Sequence, residues 1–456
     1  MTSLQLSDVV QAEIARTQQQ IELAAAHERA RRMILPTNDK LVQLKLRELS
    51  EPIVLFGENA AERRDRLKAE LTKRQMTNGM LVTDAAAAAA SATSTASADD
   101  DVVYTRGSPE LLDARRFIAT FSLTRAKQRI DAERHAKVAG GGGDRAPRAG
   151  AFAGFSNQAS EVGSVRPLSG CALSPDDRQL AVTDWTGACK VWNVADCKLV
   201  RSLAGHADRA HHVVYHGEAR EAHSSAMQLA TCGADEAVLL WSAASDQAPL
   251  ASLAGHRQRV NRLALHPSGR FLASTSHDET WRLWDIETAR ELLMQDGHVA
   301  PVYGIAMQCD GSLVVTGALN AVALAWDLRT GKQVWSMRQH VKEVLTIDFS
   351  PSGFEFATGS ADNVVRIFDL RQRELRHTIA AHQSLVSQVR YDRARADYLL
   401  SAGFDKKLNA WCLRGAEPTL AATLAGHEGK IMAFDVTRDD SRIVTAAFDR
   451  TFKFWH

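Results

Sequence analysis

No apolar run in this chain of 456 residues approaches the 18 that a membrane-spanning helix needs, and the opening MTSLQLSDVV lacks the profile of a secretory leader. The sequence reads as that of a soluble protein that is not secreted. Cysteine is scarce. The six present, Cys171, Cys189, Cys197, Cys232, Cys309 and Cys412, form no CxxC pair and read as reduced thiols of an intracellular protein. Net charge is almost absent too, with 55 Lys and Arg against 54 Asp and Glu for a formal +1. No bulk attraction to nucleic acid or membrane follows, so any such binding has to be local. Also missing are a Gly-rich phosphate loop, a cluster of unpaired carboxylates and any metal-ligand spacing. The sequence therefore indicates no enzyme, cofactor, metal or small-molecule substrate.

What is present is a repeat. The stretch GHRQRVNRLALHPSGRFLASTSHDETWRLWD, Gly255 to Asp285, recurs in blurred form six more times. Its Trp284 has counterparts at Trp192, Trp241, Trp326, Phe368, Trp411 and Trp455, and its His256 at His206, His298, His340, His382 and His427. A pitch of 40 to 45 residues with a Gly-His start and a Trp-Asp end is the signature of WD40 repeats, four strands to a propeller blade. Within the unit, LALH, FLAST and WRLW are short β-rich runs separated by the turn signals Pro267-Ser268-Gly269 and His277-Asp278.

Ten residues before the terminal aromatic of repeats two to seven stands a Ser or Thr, and six before it an Asp in all but repeat four, so His, Ser/Thr, Asp and Trp can close one buried hydrogen-bond network. Four repeats carry the full set: His206/Thr231/Asp235/Trp241, His256/Ser274/Asp278/Trp284, His382/Ser401/Asp405/Trp411 and His427/Thr445/Asp449/Trp455. A buried polar group left unpaired costs about 1 to 3 kcal/mol, so a network that satisfies all its members specifies one blade geometry. Repeat four has Asn320 for the Asp and repeat five Phe368 for the Trp, and packing should hold those blades more. A His-Asp-Ser set also has the composition of a hydrolase triad. Its repetition argues against that role, since one chain has no use for four equivalent active sites.

The expected fold is mainly β, a seven-bladed propeller over residues 152–456. Its last repeat stops at Trp455-His456 and leaves one outer strand missing. Phe152 to Val162 is the nearby segment able to supply it, which would put both ends of the propeller in one blade.

Ahead of the propeller lie short pieces. Residues 1–32 read as a helix with a thin stripe at Val10, Ile14, Thr17, Ile21 and Ala24. Residues 33–75 read as two helices. The first is capped by Thr37 or Asn38 and ended by Pro52; the second begins near Glu58 and carries Arg63, Arg64, Arg66 and Lys68 within two turns. Residues 76–107, with DAAAAAASATSTASADDD, read as a disordered tether. In 108–138, Ser108-Pro109-Glu110 starts a helix and a second helix follows from about Thr124, and between Val102 and Val138 eight basic residues face four acidic ones. Residues 139–151 read as a Gly-rich joint. The extra residues in repeat two fall in a polar surface loop at 216–227.

The runs LPTND, LRELSEPIVLFGE and ERRDRLKAEL resemble the splicing-factor motif in the form that precedes the WD repeats of the pre-mRNA-processing factor four family. RPLSGCALSPD, WTGACKVWNV, AWDLRTG, FDLRQRELRHTIAAHQSLV and LAGHEGKIMAFD resemble that family's repeats in order. The resemblance spans both ends of the chain. It implies a non-enzymatic scaffold subunit of the U4/U6 and U4/U6.U5 tri-snRNP particles, in the spliceosome and speckles of the nucleus. It further implies contact with U4 and U6 snRNA through the N-terminal region, a partner subunit docked on the propeller, and a spliceosomal cyclophilin engaging 108–138. The alternative for that last segment is helices packed on the propeller's side. The competing readings of the whole chain are a generic WD40 adaptor, such as a ligase substrate receptor or signalling scaffold, and a catalytic propeller. Adaptors need no element like 33–71.

Two candidate sites follow. Arg63, Arg64, Arg66 and Lys68 form the most concentrated basic run near the motif and are the expected RNA contacts. On the propeller, the residue before each tetrad Asp sits at a strand-to-strand turn on the channel rim. Most repeats place something modest there (Ala234, His277, Leu319, Ala361), but Trp185, Phe404 and Phe448 belong to three neighbouring blades and are flanked by Lys406, Lys407 and Arg450. Adjacent aromatics with basic neighbours have the composition of a protein-binding hot spot.

Overall fold

The structure is a computed structural model. It describes residues 42–43, 45–46, 49, 63–64, 66–68, 70, 108–138 (side chains to 135), 152, 154–217, 227–242, 248–393, 396–415 and 417–456. The expected helix at 1–32, the tether at 76–107, the joint at 139–151 (152 itself being described) and most of the 216–227 loop lie outside the described residues. The chain divides into two units, residues 1–104 and 105–456. In the first, the described positions between 42 and 46 and between 63 and 70 are helical, and Val42, Leu46 and Leu67 are buried together with Leu49 beside them.

Among the described residues of the second unit, twenty-eight strands run in chain order from β1 (Asn157–Val162) to β28 (Thr451–Trp455) and form seven four-stranded antiparallel sheets. The innermost strands are β2 (Leu168–Leu173), β6 (Ala210–Tyr215), β10 (Val260–Leu265), β14 (Val302–Met307), β18 (Val344–Phe349), β22 (Val386–Tyr391) and β26 (Ile431–Val436). Each touches the next, and β26 touches β2, so the sheets close into a ring. The closing blade has the order β1-β28-β27-β26, with β27 at Ile443–Ala447: the segment before the first repeat supplies the outer strand of the last. That segment is fixed by Phe152, which is 1% exposed among Tyr398, Leu400, Phe434 and Trp455. Strand pairing begins at Asn157, and before it the Phe155 N–H closes back on the Phe152 carbonyl.

Each blade turns from its second to its third strand through the same geometry. The residue after the tetrad Asp position has φ between 65 and 85° in all seven: Gly187, Glu236, Glu279, Ala321, Asn363, Lys406 and Arg450. Six of these are not glycine, and the left-handed conformation costs an L-residue roughly 1 to 2 kcal/mol. The preceding Asp or Asn offsets that by accepting from the backbone two residues on, as Asp278 does from Thr280 N (3.1 Å) and Asn320 from Val322 N (3.2 Å).

The segment before the propeller is one helix, α1 (Pro109–Val138), rather than two. No Gly or Pro interrupts it after Pro109, and its hydroxyls bond back into the helix: Thr120 Oγ1 to Phe117 O at 2.9 Å and Thr124 Oγ1 to Thr120 O at 2.9 Å. Ser108 caps its start, its Oγ accepting from Leu111 N at 3.2 Å. Leu111, Ala114 and Ile118, one face at helical spacing, are buried against Phe271, Trp326 and Leu328. Arg129 pins the far end. Its Nε and Nη2 reach Asp310 at 3.1 and 2.6 Å, Nη1 reaches Ser352 O at 2.5 Å, and the guanidinium stands 4.3 Å from the Phe354 ring centre. Asp310 and Ser352 lie in turns between first and second strands, so α1 straps the face opposite the rim.

Candidate functional site

The tetrads form as networks. In blade three, Trp284 Nε1–H donates to Ser274 Oγ (2.8 Å), Ser274 lies 2.7 Å from His256 Nε2, and His256 Nδ1–H donates to Asp278 (2.9 Å). The same relay joins Trp241, Thr231, His206 and Asp235 at 2.8, 2.9 and 2.9 Å. Trp411, Ser401, His382 and Asp405 repeat it at 3.1, 2.9 and 2.9 Å, and Trp455, Thr445, His427 and Asp449 at 2.9, 2.7 and 3.0 Å. Burial works against the charge of Asp278, but hydrogen bonds from His256 and Thr280 win and hold its carboxyl well below the usual carboxylate range; His427 and Thr451 do the same for Asp449. In each of the four sets the hydrogen bonds close within one blade and tie its entry to the turn between its second and third strands.

Blades one, four and five depart from the set. Blade five keeps His340 on Asp362 (2.9 Å) and Thr358 (2.7 Å), and its Phe368 stacks on Phe356 at 5.3 Å with Trp335 edge-on at 5.7 Å. Blade four keeps Trp326 Nε1–H on Thr316 Oγ1 (2.8 Å) and Thr316 Oγ1 on His298 Nε2 (2.7 Å), but with Asn320 for Asp its buried His298 Nδ1 has no partner among the described residues. Burial pushes the His298 imidazole down to about 4. Blade one has no such His and leaves Trp192 Nε1 unpaired.

The rim is built by a sevenfold contact. The backbone N–H of Trp185, Ala234, His277, Leu319, Ala361, Phe404 and Phe448 donates to the carbonyl just before the neighbouring inner strand, Pro167, Arg209, Arg259, Pro301, Glu343, Leu385 and Lys430 respectively, at 2.8 to 3.1 Å. All seven side chains are thereby held at the channel edge. Trp185 and Phe448 meet edge to face at 5.2 Å, and Arg209 lies 4.5 Å from the Trp185 ring centre. Phe448 is 40% exposed, and Lys406, Lys407 and Arg450 are exposed. Phe404 does not join the aromatic pair. It lines the channel mouth with Lys430 4.8 Å from its ring centre. The expected row of three aromatics is thus a pair plus one.

The residues that line the channel were not anticipated from sequence. The second residue of each inner strand forms a ring at the mouth, Ser169, His211, Asn261, Tyr303, Leu345, Ser387 and Met432, around a cavity of about 50 Å³. Beneath it a second cavity of about 250 Å³ is lined by Arg262, Arg390, Asp348, His212 and Gln388. Arg262 lines both and reaches from blade three to the Ser387 carbonyl of blade six at 3.1 Å.

Of the four basic residues near the motif, Arg63 is buried at 7% exposure, while Arg64, Arg66 and Lys68 are half-buried. They do not form a uniformly presented row, because a helical turn that buries Leu67 also turns Arg63, four residues earlier, inward.

Fold and sequence together define a WD-repeat propeller protein with a short helical motif ahead of the propeller in the chain. Residues 167–456 match the family model described as the IFT122 first beta-propeller, and residues 42–69 match the model described as pre-mRNA processing factor 4 (PRP4) like. The chain is 39% identical over 448 residues to the Saccharomyces cerevisiae protein named U4/U6 small nuclear ribonucleoprotein PRP4, across 94% of this chain and 93% of that one. It is 40% identical over 437 residues to the Arabidopsis thaliana U4/U6 small nuclear ribonucleoprotein PRP4-like protein, across 94% and 76%. Against human U4/U6 small nuclear ribonucleoprotein Prp4 the identity is 39% over 215 residues, 44% of this chain and 39% of that one. The chain belongs to the PRP4 family.

Proposed function

We propose that this chain is a non-enzymatic scaffold subunit of the U4/U6 small nuclear ribonucleoprotein and of the tri-snRNP, acting in nuclear pre-mRNA splicing. One observation carries the reading. The likeness to the yeast protein runs through 94% of this chain, so it takes in the motif region as well as the propeller, which a generic adaptor would share only in part. In this reading U4/U6 RNA is held near the motif by Arg64, Arg66 and Lys68, with buried Arg63 supporting their helix. Three phosphate contacts give a shallow salt dependence, a slope of about −0.9 per contact on a duplex, so a protein partner has to reinforce the binding. The Trp185/Phe448 pair, Phe404 and the basic residues Lys406, Lys407 and Arg450 form the docking rim for a partner subunit of the particle. A spliceosomal cyclophilin takes the outer side of α1, where Leu112 and Leu123 are 50% and 60% exposed.

Ultraviolet crosslinking of the full chain in nuclear extract tests the reading. Recovery of U4 or U6 RNA is expected, falling several-fold when Arg64, Arg66 and Lys68 are all changed to Ala. Absence of both RNAs from the wild-type crosslink would favour the adaptor reading, and undiminished recovery from the triple variant would move the RNA contact elsewhere.

A further inference from the structure

Among the described residues, Arg262 is the cation of the channel whose charge the blades do not answer. Its fellow Arg390 pairs with Asp435, which Arg393 also reaches at 2.8 Å. Among the described residues Arg262 makes one hydrogen bond, to a neutral carbonyl, and no ion pair; the Tyr303 ring centre is 5.9 Å away. Burial lowers its pKa, and Arg390 adds to that effect. A desolvated charge without a counter-ion is unfavourable, and a guanidinium with one of five N–H groups used retains a fork suited to a carboxylate.

The mouth above it is selective in size and lining. Leu345, Leu385, Phe404 and Met432 make part of its wall apolar, Arg262 supplies a cationic floor, and its volume of about 50 Å³ has room for a carboxylate on a short stem. A long cationic side chain would meet Arg262 with like charge. Outside the mouth stand Lys430, Lys406 and Arg450, and the exposed Phe448 gives an approaching segment an apolar foothold.

We propose that the channel mouth receives the carboxylate of a single Glu or Asp side chain, carried by a protein segment lying across the rim, with Arg262 as its counter-ion. The inference rests on the reading of the rim as a protein-docking face. It adds the residue class that the partner must present and the position, at the channel axis, where it is read.

The test uses the full chain assembled into its particle, with a benzophenone photo-crosslinking residue replacing Leu385 and, in a second preparation, Phe448. From position 385 the expected crosslink is to a protein peptide with Glu or Asp within two residues of the attachment point. Adding Arg262→Met should reduce its yield by about thirty-fold or more, as loss of one buried charge pair does, and Arg262→Lys, which keeps the charge without the fork, by less. The melting temperature of the isolated Arg262→Met chain should be unchanged or raised, because the substitution removes a half-buried charge that no ion pair answers. A crosslinked peptide without an acidic residue, a crosslink to RNA, or a yield insensitive to Arg262→Met would overturn the proposal. So would inorganic phosphate co-purifying one to one with the isolated wild-type chain and lost from Arg262→Met, since a free anion would then be the occupant. Protein crosslinks from position 448 accompanied by failure at 385 would remove this inference and leave the docking rim standing. Failure to reach protein from either position would remove both.

Discussion

Blades three and four are neighbours with the same strand pairing and the same bulge in the inner strand, and they differ at the tetrad carboxylate. In blade three the two oxygens of Asp278 divide the work. Oδ1 clamps the turn through Thr280, and Oδ2 holds His256 Nδ1 and the backbone N–H of Arg257 (3.2 Å), with Arg282 3.9 Å away. In blade four Asn320 keeps the turn clamp through Val322, but the imidazole above it is left without an acceptor. The Asp is therefore two devices in one residue. The local one, which makes a left-handed turn tolerable, survives as Asn; the long-range one, which ties the turn to the entry of the blade, does not.

Breaking blade three should have the largest effect. Asp278→Ala leaves His256, Arg257 N and Arg282 without their buried anion, and removing one partner of such a set costs about 3 kcal/mol or more. Asn320→Ala in blade four removes only the turn bond, about 1 kcal/mol or less. Urea unfolding of both variants beside wild type checks the contrast. Equal losses would mean the tetrad carboxylate is a turn clamp and nothing else.

Acid should distinguish the blades next. The His298 imidazole is near 4 in the folded chain against about 6.5 unfolded, a depressed value. Its contribution is whole above about 6.5 and is lost as pH falls toward 4, on the order of 2 to 3 kcal/mol over that window. Asp278 is depressed as well, from about 3.9, so blade three keeps its contribution until pH falls below about 4. Hydrogen exchange at pH 5 should accordingly show the β14–β15 region of blade four, with β15 at Leu313–Ala318, opening before the equivalent strands of blade three. Simultaneous opening would place the acid sensitivity elsewhere.

Much of this was legible in the sequence because the same chemistry is written several times. One His-Ser-Asp-Trp set is ambiguous, four at one pitch are a propeller, and the departures at Asn320 and Phe368 are visible against them. The seat of α1 was not legible: its buried face, Leu111, Ala114 and Ile118, meets Phe271 and Trp326 from 150 or more residues downstream. Nor was the lining of the channel. Every inner strand slips register between its first and third residues, as at Val260/Arg262, so simple alternation does not tell which side chain meets the axis. Arg262 reads in sequence as one more surface arginine, and only ring closure sets it opposite Ser387.

The finest test restores in blade four what blade three has. In Asn320→Asp, Oδ1 would still accept from Val322 N, and Oδ2 would gain the His298 Nδ1–H and the Val299 N–H, as Asp278 holds His256 and Arg257. The gain should be smaller than the loss in Asp278→Ala. Blade three has Arg282 beside its carboxylate, whereas the matching residue in blade four is the buried Leu324, which contributes no counter-charge. One satisfied buried donor is worth about 1 kcal/mol. The introduced carboxyl would titrate below its unfolded value, so its benefit should be complete at neutral pH and disappear as pH falls below about 4. The new anion should also raise His298 from its depressed value, so the weakening of blade four between 6.5 and 4 should shrink. Thermal unfolding at neutral and acid pH measures both effects, with a higher melting temperature near neutrality and a flatter acid limb expected. An unchanged melting temperature would show that the vacancy at His298 is already relieved by its surroundings, and that blades three and four differ in sequence but not in stability.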